Sequence, residues 1–158
     1  LIPDCIKSWS KNKNVILRSP NSIRPWQHVI EVLYGYLKLS YYLKNRTKLN
    51  GEAFNFGPSN KSKLRVIELV KIMKNNWKKV NWKLLPRNKT SYKETKLLSL
   101  NSNKARKKLN WRCILTSKQT IKMVSDWYRS YYTRKVNVKN LSIKQINHYE
   151  KKLLEKNK

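Results

Sequence analysis

The sequence predicts a mixed α/β fold with several helices and a few short strands. The chain has 158 residues, 39% of them hydrophobic, and contains 6 Trp and 9 Tyr. That is enough apolar side chain for one packed domain, and it is too aromatic for a disordered chain. Stretches of helical spacing alternate with short β-branched runs, and this alternation is typical of an α/β protein.

The first half of the chain carries five element signals. A helix end over residues 1–9 is predicted by one helical stripe of Leu1, Ile2, Cys5, Ile6 and Trp9. The β-branched run 15–17 predicts a strand, 19–22 a turn, and 23–29 an extended segment in which Pro25 restricts Arg24 to the β region. A helix follows over 30–43, and its spacing predicts that Leu33, Leu37 and Tyr41 face inward.

The second half alternates strands and helices in the same way. Gly51 opens a predicted strand over 53–56, and an amphipathic helix over 64–77 places Val66, Leu69, Val70 and Met73 on one face. Residues 80–84 alternate like a strand, 87–95 form a polar loop, and 97–100 a short extended piece. Asn101 is a helix cap for residues up to 109. Two capping boxes, at residues 116–119 and 142–145, predict helices through residue 132 and at the C-terminus.

The glycine content bears on cofactor binding. The chain contains only Gly35, Gly51 and Gly57, and no predicted strand runs through a glycine-rich turn into a helix. A dinucleotide fingerprint needs such glycines for its tight turn and for close approach of the backbone to the pyrophosphate. The sequence therefore predicts that this polypeptide has no NAD site.

The net charge of +29 on its own suggests a nucleic acid or an anionic membrane as partner. The lysines are scattered, however, and accompany abundant Asn, Ile and Tyr, which favours compositional drift toward AT-rich codons. We expect no membrane partner and no dedicated nucleic-acid partner, only weak polyanion binding at low salt.

The ends and the cysteines give a further set of expectations. No run approaches the roughly 18 apolar residues of a membrane span, and residues 1–4 do not resemble a signal peptide. A chain that starts at Leu1 rather than Met is expected to begin within a longer protein.

Cys5 and Cys113 are predicted to be free thiols in a reducing cytoplasm. The few His and Cys do not have zinc-site spacing, so no metal is expected.

The most informative motif is residues 24–29, Arg-Pro-Trp-Gln-His-Val, between a strand with a Ser-Pro-Asn turn and a helix. With residues 1–6, 18–23 and 35–37, this string resembles the CDP-glucose 4,6-dehydratases of the extended short-chain dehydrogenase/reductase superfamily. Similarity continues in order at residues 51–58, 93–105, 109–111, 127–131 and 141–146.

The resemblance implies the C-terminal, substrate-binding part of such an enzyme, with the Rossmann NAD domain largely absent. Enzymes of this family are lyases that use NAD to convert CDP-glucose into CDP-4-keto-6-deoxyglucose. Their catalytic Tyr and Lys lie in the N-terminal part of the chain. We therefore expect a sugar-nucleotide-binding domain over 1–133 and a basic tail or helix over 134–158. The expected partners are CDP-glucose, an N-terminal Rossmann half and, in the complete enzyme, a second copy; the isolated chain is expected to be inactive.

The resemblance also implies which residues bind the substrate. Arg24 is the candidate clamp for the diphosphate, because a planar guanidinium can donate two parallel hydrogen bonds to such a group. The backbone of Ile16 and Leu17 is expected to pair with the cytosine edge. The remaining candidates are Trp26 as a pocket wall or a core residue, Asn55 as a nucleotide ligand or a turn cap, Glu94 for a ribose hydroxyl or for Arg24, and Lys96 for a phosphate.

Three positions depart from the family pattern: Lys93 replaces a His, Asn101 an Asp and Asn110 a Gly. Asn still caps a helix and tolerates positive φ. Two alternative functions stay open. One is a related epimerase or dehydratase that uses another nucleotide. The other is a basic module that binds nucleic acid through its lysine-rich helices.

Overall fold

Helices surround two short two-stranded sheets in this protein. The computed structural model describes residues 1–45, 47–59, 63–86, 95–133 and 136–156. The elements are α1 (Ile2–Ser10), β1 (Val15–Leu17), β2 (Ile23–Arg24), α2 (Val29–Asn45), a 3₁₀ turn (Thr47–Leu49), β3 (Leu64–Arg65), α3 (Val66–Asn76), β4 (Trp82–Leu84), α4 (Asn103–Leu109), α5 (Ser117–Thr133) and α6 (Val138–Lys156). The predicted mixed α/β class with few short strands is confirmed. Of the helices in these ranges, none is long and apolar enough to cross a membrane.

The two sheets differ in direction. β1 pairs with β4 in parallel, with Val15 opposite Trp82. β2 pairs with β3 antiparallel, with Ile23 opposite Arg65, and Ile23 also forms a parallel bridge to Leu97. The predicted strand at 15–17 is confirmed, and the one at 80–84 is confirmed over its second half. The loop predicted at 87–95 lies, up to residue 94, outside the described residues.

The larger core lies between α1, β1, α3 and α5. It contains Cys5, Ile6 and Trp9 of the stripe predicted for α1, with Ile2 packed against it, whereas Leu1 precedes the helix and is exposed. It also contains the predicted stripe of α3, namely Val66, Leu69, Val70 and Met73. The indole of Trp9 donates a 2.6 Å hydrogen bond to the carbonyl of Asn81, which ties α1 to the start of β4. The amides of Val66 and Ile67 donate to the carbonyls of Ser22 and Pro20. The turn before β2 is thereby fixed to α3.

The inward face predicted for α2 is wrong. Leu37 is 71% exposed and Tyr41 68%, and Leu33 is also exposed. The helix is apolar on two faces, and the face that packs inward carries Glu31 and Gly35. Spacing alone could not choose between the two faces, because both recur at helical intervals.

The strand predicted at residues 53–56 is also wrong. These residues lie outside any strand, and within the described part of the chain their backbone makes no hydrogen bond. The segment instead places Phe56 in a second core, edge-on to Trp111 with ring centroids 5.1 Å apart. A strand needs a neighbouring backbone, and the described residues provide none here.

Capping residues were predicted at three helix starts. Their side chains accept backbone N–H groups at two of these starts and not at the third. Thr116 and Gln119 form the predicted capping box, each side chain accepting the other's backbone N–H. The Asn101 side chain accepts the N–H of Asn103, the first residue of α4, although the N-cap position itself is Ser102 and not Asn101. The box predicted at 142–145 is wrong because α6 begins earlier, where the Asn137 side chain accepts the N–H of Lys139.

Candidate functional site

A cleft of about 840 Å³ opens between α1, β1, the turn after β1, the connection from β2 to α2, and the start of α3. It brings together Ile16, Leu17, Arg24 and Trp26, four of the residues predicted to bind a nucleotide. The elements that form it are fixed to one another by the larger core and by the bonds between α3 and the turn before β2. The cleft is therefore a preformed surface feature.

Arg24 ends β2 and is half-buried at the cleft. Its Nη1 donates hydrogen bonds of 2.9 Å to the carbonyl oxygens of Ile23 and Thr95. The next residue, Pro25, confines Arg24 to extended backbone. Arg24 thus lines the cleft while one of its guanidinium nitrogens is bound to backbone carbonyls beside it.

β1 contributes a backbone edge to the cleft. The N–H of Val15 donates to the carbonyl of Asn81 at 3.2 Å, and the carbonyl of Leu17 accepts from Leu85 at 3.1 Å. In a parallel ladder the residue between two such partners directs its N–H and C=O to the opposite edge. Ile16 is that residue, and its side chain is 59% exposed. A paired donor and acceptor on one edge suits a planar base.

Trp26 contributes to both the core and the cleft. Its ring lines the cleft and packs against the larger core, and its indole N–H donates a 3.0 Å hydrogen bond to the carbonyl of Leu64. The two interpretations left open by the sequence are therefore compatible, because one face of a large ring can be buried while another borders the cleft.

Two other predicted site residues, Asn55 and Lys96, do not join this cleft, and a third is not among the residues that the structure describes. Asn55 is exposed and is not part of its lining. Lys96 is also exposed, and its backbone carbonyl accepts the N–H of Ile23 at 2.8 Å while its side chain is not part of the lining. Glu94 lies outside the described residues, as does Lys93.

The cleft also contains residues that sequence reasoning did not select. Arg18 follows β1 directly and adds a second guanidinium, whereas Asp4 on α1 adds a carboxylate. Arg18 could have been found from its place at a strand end beside the turn at 19–22. Cys5 lines the cleft as well, and burial raises the pKa of its thiol, which keeps it protonated and a poor nucleophile.

His28 closes the Arg-Pro-Trp-Gln-His stretch and is buried. Burial lowers the pKa of its imidazole, so the ring is neutral at pH 7, and its Nδ1 accepts the N–H of Ile30. This contact starts helix α2 and gives His28 a structural role. Within the described ranges, no three His, Cys, Asp or Glu side chains are grouped so that they could hold a metal ion.

The three glycines of the chain are used for packing and turning. A Cβ added to Gly35, which lies in α2, would be 2.5 Å from the ring of Phe56. A Cβ added to Gly57, in the segment after residue 56, would be 2.7 Å from the Cβ of Leu100. Gly51 has a φ of +75° in a turn. None of them lies in a turn that leads from a strand into a helix, so the described residues do not fit the pyrophosphate of NAD.

No family model matches the chain. It is 33% identical over 132 residues to CDP-glucose 4,6-dehydratase of Salmonella typhimurium, which covers 83% of this chain and 36% of the relative, at its C-terminal part. The chain thus spans about a third of the length of this relative.

Solved structures with the same fold include UDP-glucose-4-epimerase from Stenotrophomonas maltophila with bound NAD and formylated UDP-arabinopyranose (TM-score 0.68, 15% identity, 86% of this chain and 41% of that one). UDP-glucuronic acid 4-epimerase from Bacillus cereus, in complex with UDP-glucuronic acid and NAD, has a TM-score of 0.65 at 15% identity, covering 81% of this chain and 39% of that one. dTDP-glucose 4,6-dehydratase from Bacillus anthracis, in complex with NAD, gives 0.61 at 18% identity, with 82% and 39% covered.

The fold is therefore shared with part of the chains of these nucleotide-sugar epimerases and dehydratases. The chain is similar to CDP-glucose 4,6-dehydratase and matches its C-terminal part, as the motif at residues 24–29 predicted. NAD, expected as the cofactor of the family, is bound in these three neighbours.

Proposed function

We propose that this chain is the nucleotide-sugar-binding, C-terminal part of a CDP-glucose 4,6-dehydratase. The observation that carries the proposal is the cleft in which Arg24, Trp26 and the edge of β1 meet. Arg24 and Trp26 belong to the string on which the sequence similarity was first noted, and β1 lies just before it. The 33% identity to CDP-glucose 4,6-dehydratase supports CDP as the nucleotide.

The diphosphate of CDP-glucose would lie at the guanidinium groups of Arg24 and Arg18. Two negative charges between two planar cations form charge-assisted hydrogen bonds, which are stronger than neutral ones. The cytosine edge would pair with the N–H and C=O of Ile16, which offer one donor and one acceptor. Trp26 would border the site with an apolar surface. Binding energy from the nucleotide would then hold the hexose in place.

The chemical steps belong elsewhere in the complete enzyme. The described residues do not fit NAD, and we propose that the catalytic Tyr and Lys lie in an N-terminal Rossmann half, as the resemblance implies. This chain binds and orients the substrate, and alone it gives no turnover. We propose a cytoplasmic enzyme, in which Cys5 and Cys113 remain free thiols, and a homodimer in its complete form.

The exposed face of α2 is where we propose that the Rossmann half packs. Val29, Leu33 and Leu37 follow one another at four-residue intervals along it, and each is more than half exposed. An apolar stripe of this length is typical of a surface that another protein unit covers. The exposed apolar side chains thus support a second polypeptide segment as partner.

Binding of CDP is the direct test. The full chain, alone and reassembled with the N-terminal half of the Salmonella relative, would be titrated with CDP and CDP-glucose by calorimetry. Arg24→Ala should weaken binding by about 10- to 100-fold, because it removes charge-assisted hydrogen bonds. Arg112→Ala is the matched control: it removes an equal charge at an exposed residue outside the cleft and should leave the affinity unchanged.

Equal losses with Arg24→Ala and Arg112→Ala would show nonspecific attraction to a chain of net charge +29 and would contradict the proposal. Dehydratase turnover or NAD binding by the isolated chain would contradict the proposal that catalysis and NAD binding belong to the N-terminal half. Labelled DNA titrated in parallel tests the alternative of a nucleic-acid-binding module, which predicts binding that persists at physiological salt.

A second candidate is a related epimerase or dehydratase for another nucleotide sugar. It is favoured by the UDP-sugar epimerases among the structural neighbours. One N–H and one C=O can pair with either cytosine or uracil, so the backbone of Ile16 does not decide between them. Competition of CDP with UDP, GDP and dTDP sugars identifies the nucleotide.

A further inference from the structure

Helix α6 contacts the rest of the protein along one narrow stripe. The bonding side chains on it are Ser142, Gln145, Tyr149 and Lys156, at intervals of three, four and seven residues. Trp127 Nε1 donates to Ser142 Oγ at 2.8 Å, Gln145 Nε2 to the carbonyl of Met123 at 2.9 Å, and Lys156 Nζ to the carbonyl of Ile114 at 3.3 Å. Of the 19 residues of this described helix, Tyr149 is the only one classed as buried. These polar contacts flank a small apolar cluster in which Tyr149 and Leu153 of α6 pack with Leu115 and Met123.

The buried contact of α6 is made to a buried carboxylate. Glu31, near the start of α2, is 0% exposed. Its Oε1 accepts the N–H groups of Ile114 and Leu115 at 2.8 and 2.6 Å, and its Oε2 accepts the hydroxyl of Tyr149 at 2.8 Å. A buried carboxylate is tolerated only when donors satisfy it. The Tyr149 hydroxyl is therefore part of what keeps the start of α2 in place.

The same network reaches the segment that follows Arg24. Trp111 Nε1 donates to the backbone carbonyl of Glu31 at 3.2 Å, and Gln27 Nε2 lies 4.0 Å from Cys113 Sγ. Residues 27–31 are thus bound to residues 111–115, which α6 holds from the other side. Arg24 lies three residues before Gln27 in the same continuous stretch.

We propose that α6 is a strap that positions the Arg24 segment for nucleotide binding, with Tyr149 and Glu31 as its positioning residues. The coupling to a ligand rests on the function proposed above. Coupling between two sites is reciprocal. Docking of α6 therefore strengthens nucleotide binding at the cleft, and a bound nucleotide protects α6 from opening.

Hydrogen exchange of the full chain, read by mass spectrometry, tests the strap without any ligand. In Tyr149→Phe the amides of α6, of 111–115 and of 26–31 should exchange about tenfold faster, because a hydrogen bond to a buried charge is lost. Those of α3 should not change. Tyr41→Phe is the control, since it removes the hydroxyl of a tyrosine that is 68% exposed and should alter none of these segments.

A CDP titration of the same variants gives the second readout. Tyr149→Phe should weaken CDP by about threefold or more, and CDP should slow exchange in α6 of the wild type. If Tyr149→Phe fails to fold by circular dichroism, Gln145→Ala loosens the same helix at a contact that does not touch Glu31.

Faster exchange in α6 with unchanged exchange at 26–31 would overturn the proposal, and so would unchanged exchange throughout. Absence of CDP binding by the wild type in every assembly would instead refute the nucleotide site. The exchange at 26–31 would still decide whether α6 positions that segment, so the two failures are distinguishable.

Discussion

The ring of Phe56 lies so close to Gly35 in α2 that an added Cβ would come within 2.5 Å of its Cδ1. Gly35→Ala should therefore lower the free energy of unfolding by about 1–3 kcal/mol, the usual cost of overpacking. Urea denaturation measures it. Ser40→Ala on the exposed side of the same helix provides the control, and an equal loss there would mean that the effect is not one of packing against Phe56.

The thiol of Cys113 should make stability depend on alkaline pH. Burial and the neighbouring carboxylate of Glu31 raise its pKa from 9.0 to about 12. Between these values the unfolded chain loses the proton and the folded chain keeps it. Stability should thus fall above pH 9, by at most about 1.4 kcal/mol per pH unit from this group.

Cys113→Ala removes this contribution, so its unfolding free energy should fall less steeply between pH 9 and 11 than that of the wild type. Denaturation at a series of pH values gives both slopes. Parallel slopes would contradict the shifted thiol pKa. Alkylation provides a second check, because the folded wild type should react with iodoacetamide at Cys113 far more slowly than the unfolded chain at pH 9.

Substitutions on the exposed face of α2 and on the buried face of α3 should change the stability of the chain by different amounts. Leu37→Ser on the exposed stripe should change the unfolding free energy of the chain by less than about 0.5 kcal/mol. Leu69→Ala should cost about 2–5 kcal/mol, because Leu69 is buried in the larger core. In the reassembled enzyme, by contrast, Leu37→Ser should have a large effect. It should weaken the association of the chain with the N-terminal half, which sedimentation measures. Unchanged association would argue against the face proposed for that contact.

Replacing Trp26 by Phe keeps an aromatic ring but removes the donor to the carbonyl of Leu64. We expect a loss of about 1 kcal/mol in stability, since that carbonyl then lacks this partner. Chemical denaturation of the variant beside the wild type tests this. A loss of several kcal/mol would show that ring volume rather than the hydrogen bond is critical at this position.

Sequence patterns predicted the elements whose signals are local. The capping box at Thr116 and Gln119 and the stripe of α3 each depend on residues within a few positions of one another. The strand expected at 53–56 and the inward face of α2 failed because each depends on distant neighbours. Glu31 shows this best: three of its donors, Ile114, Leu115 and Tyr149, lie more than 80 residues away, and no periodicity indicates them.

The candidate site was predictable for a related reason. Arg24 and Trp26 belong to one short string, and Ile16 and Leu17 to the strand just before it, so one recognisable stretch contributed most of the cleft. Asn55 was selected for its place beside a glycine turn, and the structure puts it on the surface elsewhere. Arg18, which shares the cleft with Arg24, was not selected, although its place at a strand end beside the turn at 19–22 is a local signal.

The pairing of β1 with β4 joins strands separated by β2, α2, β3 and α3. Closing so long a stretch of chain costs entropy before any ladder contact compensates for it. The order of synthesis then matters: a nascent chain that ends before residue 82 already contains Arg24 but has no partner strand to fix the backbone of Ile16. The pairing that fixes the backbone of Ile16 thus becomes available only after the ribosome has added residues 82–84.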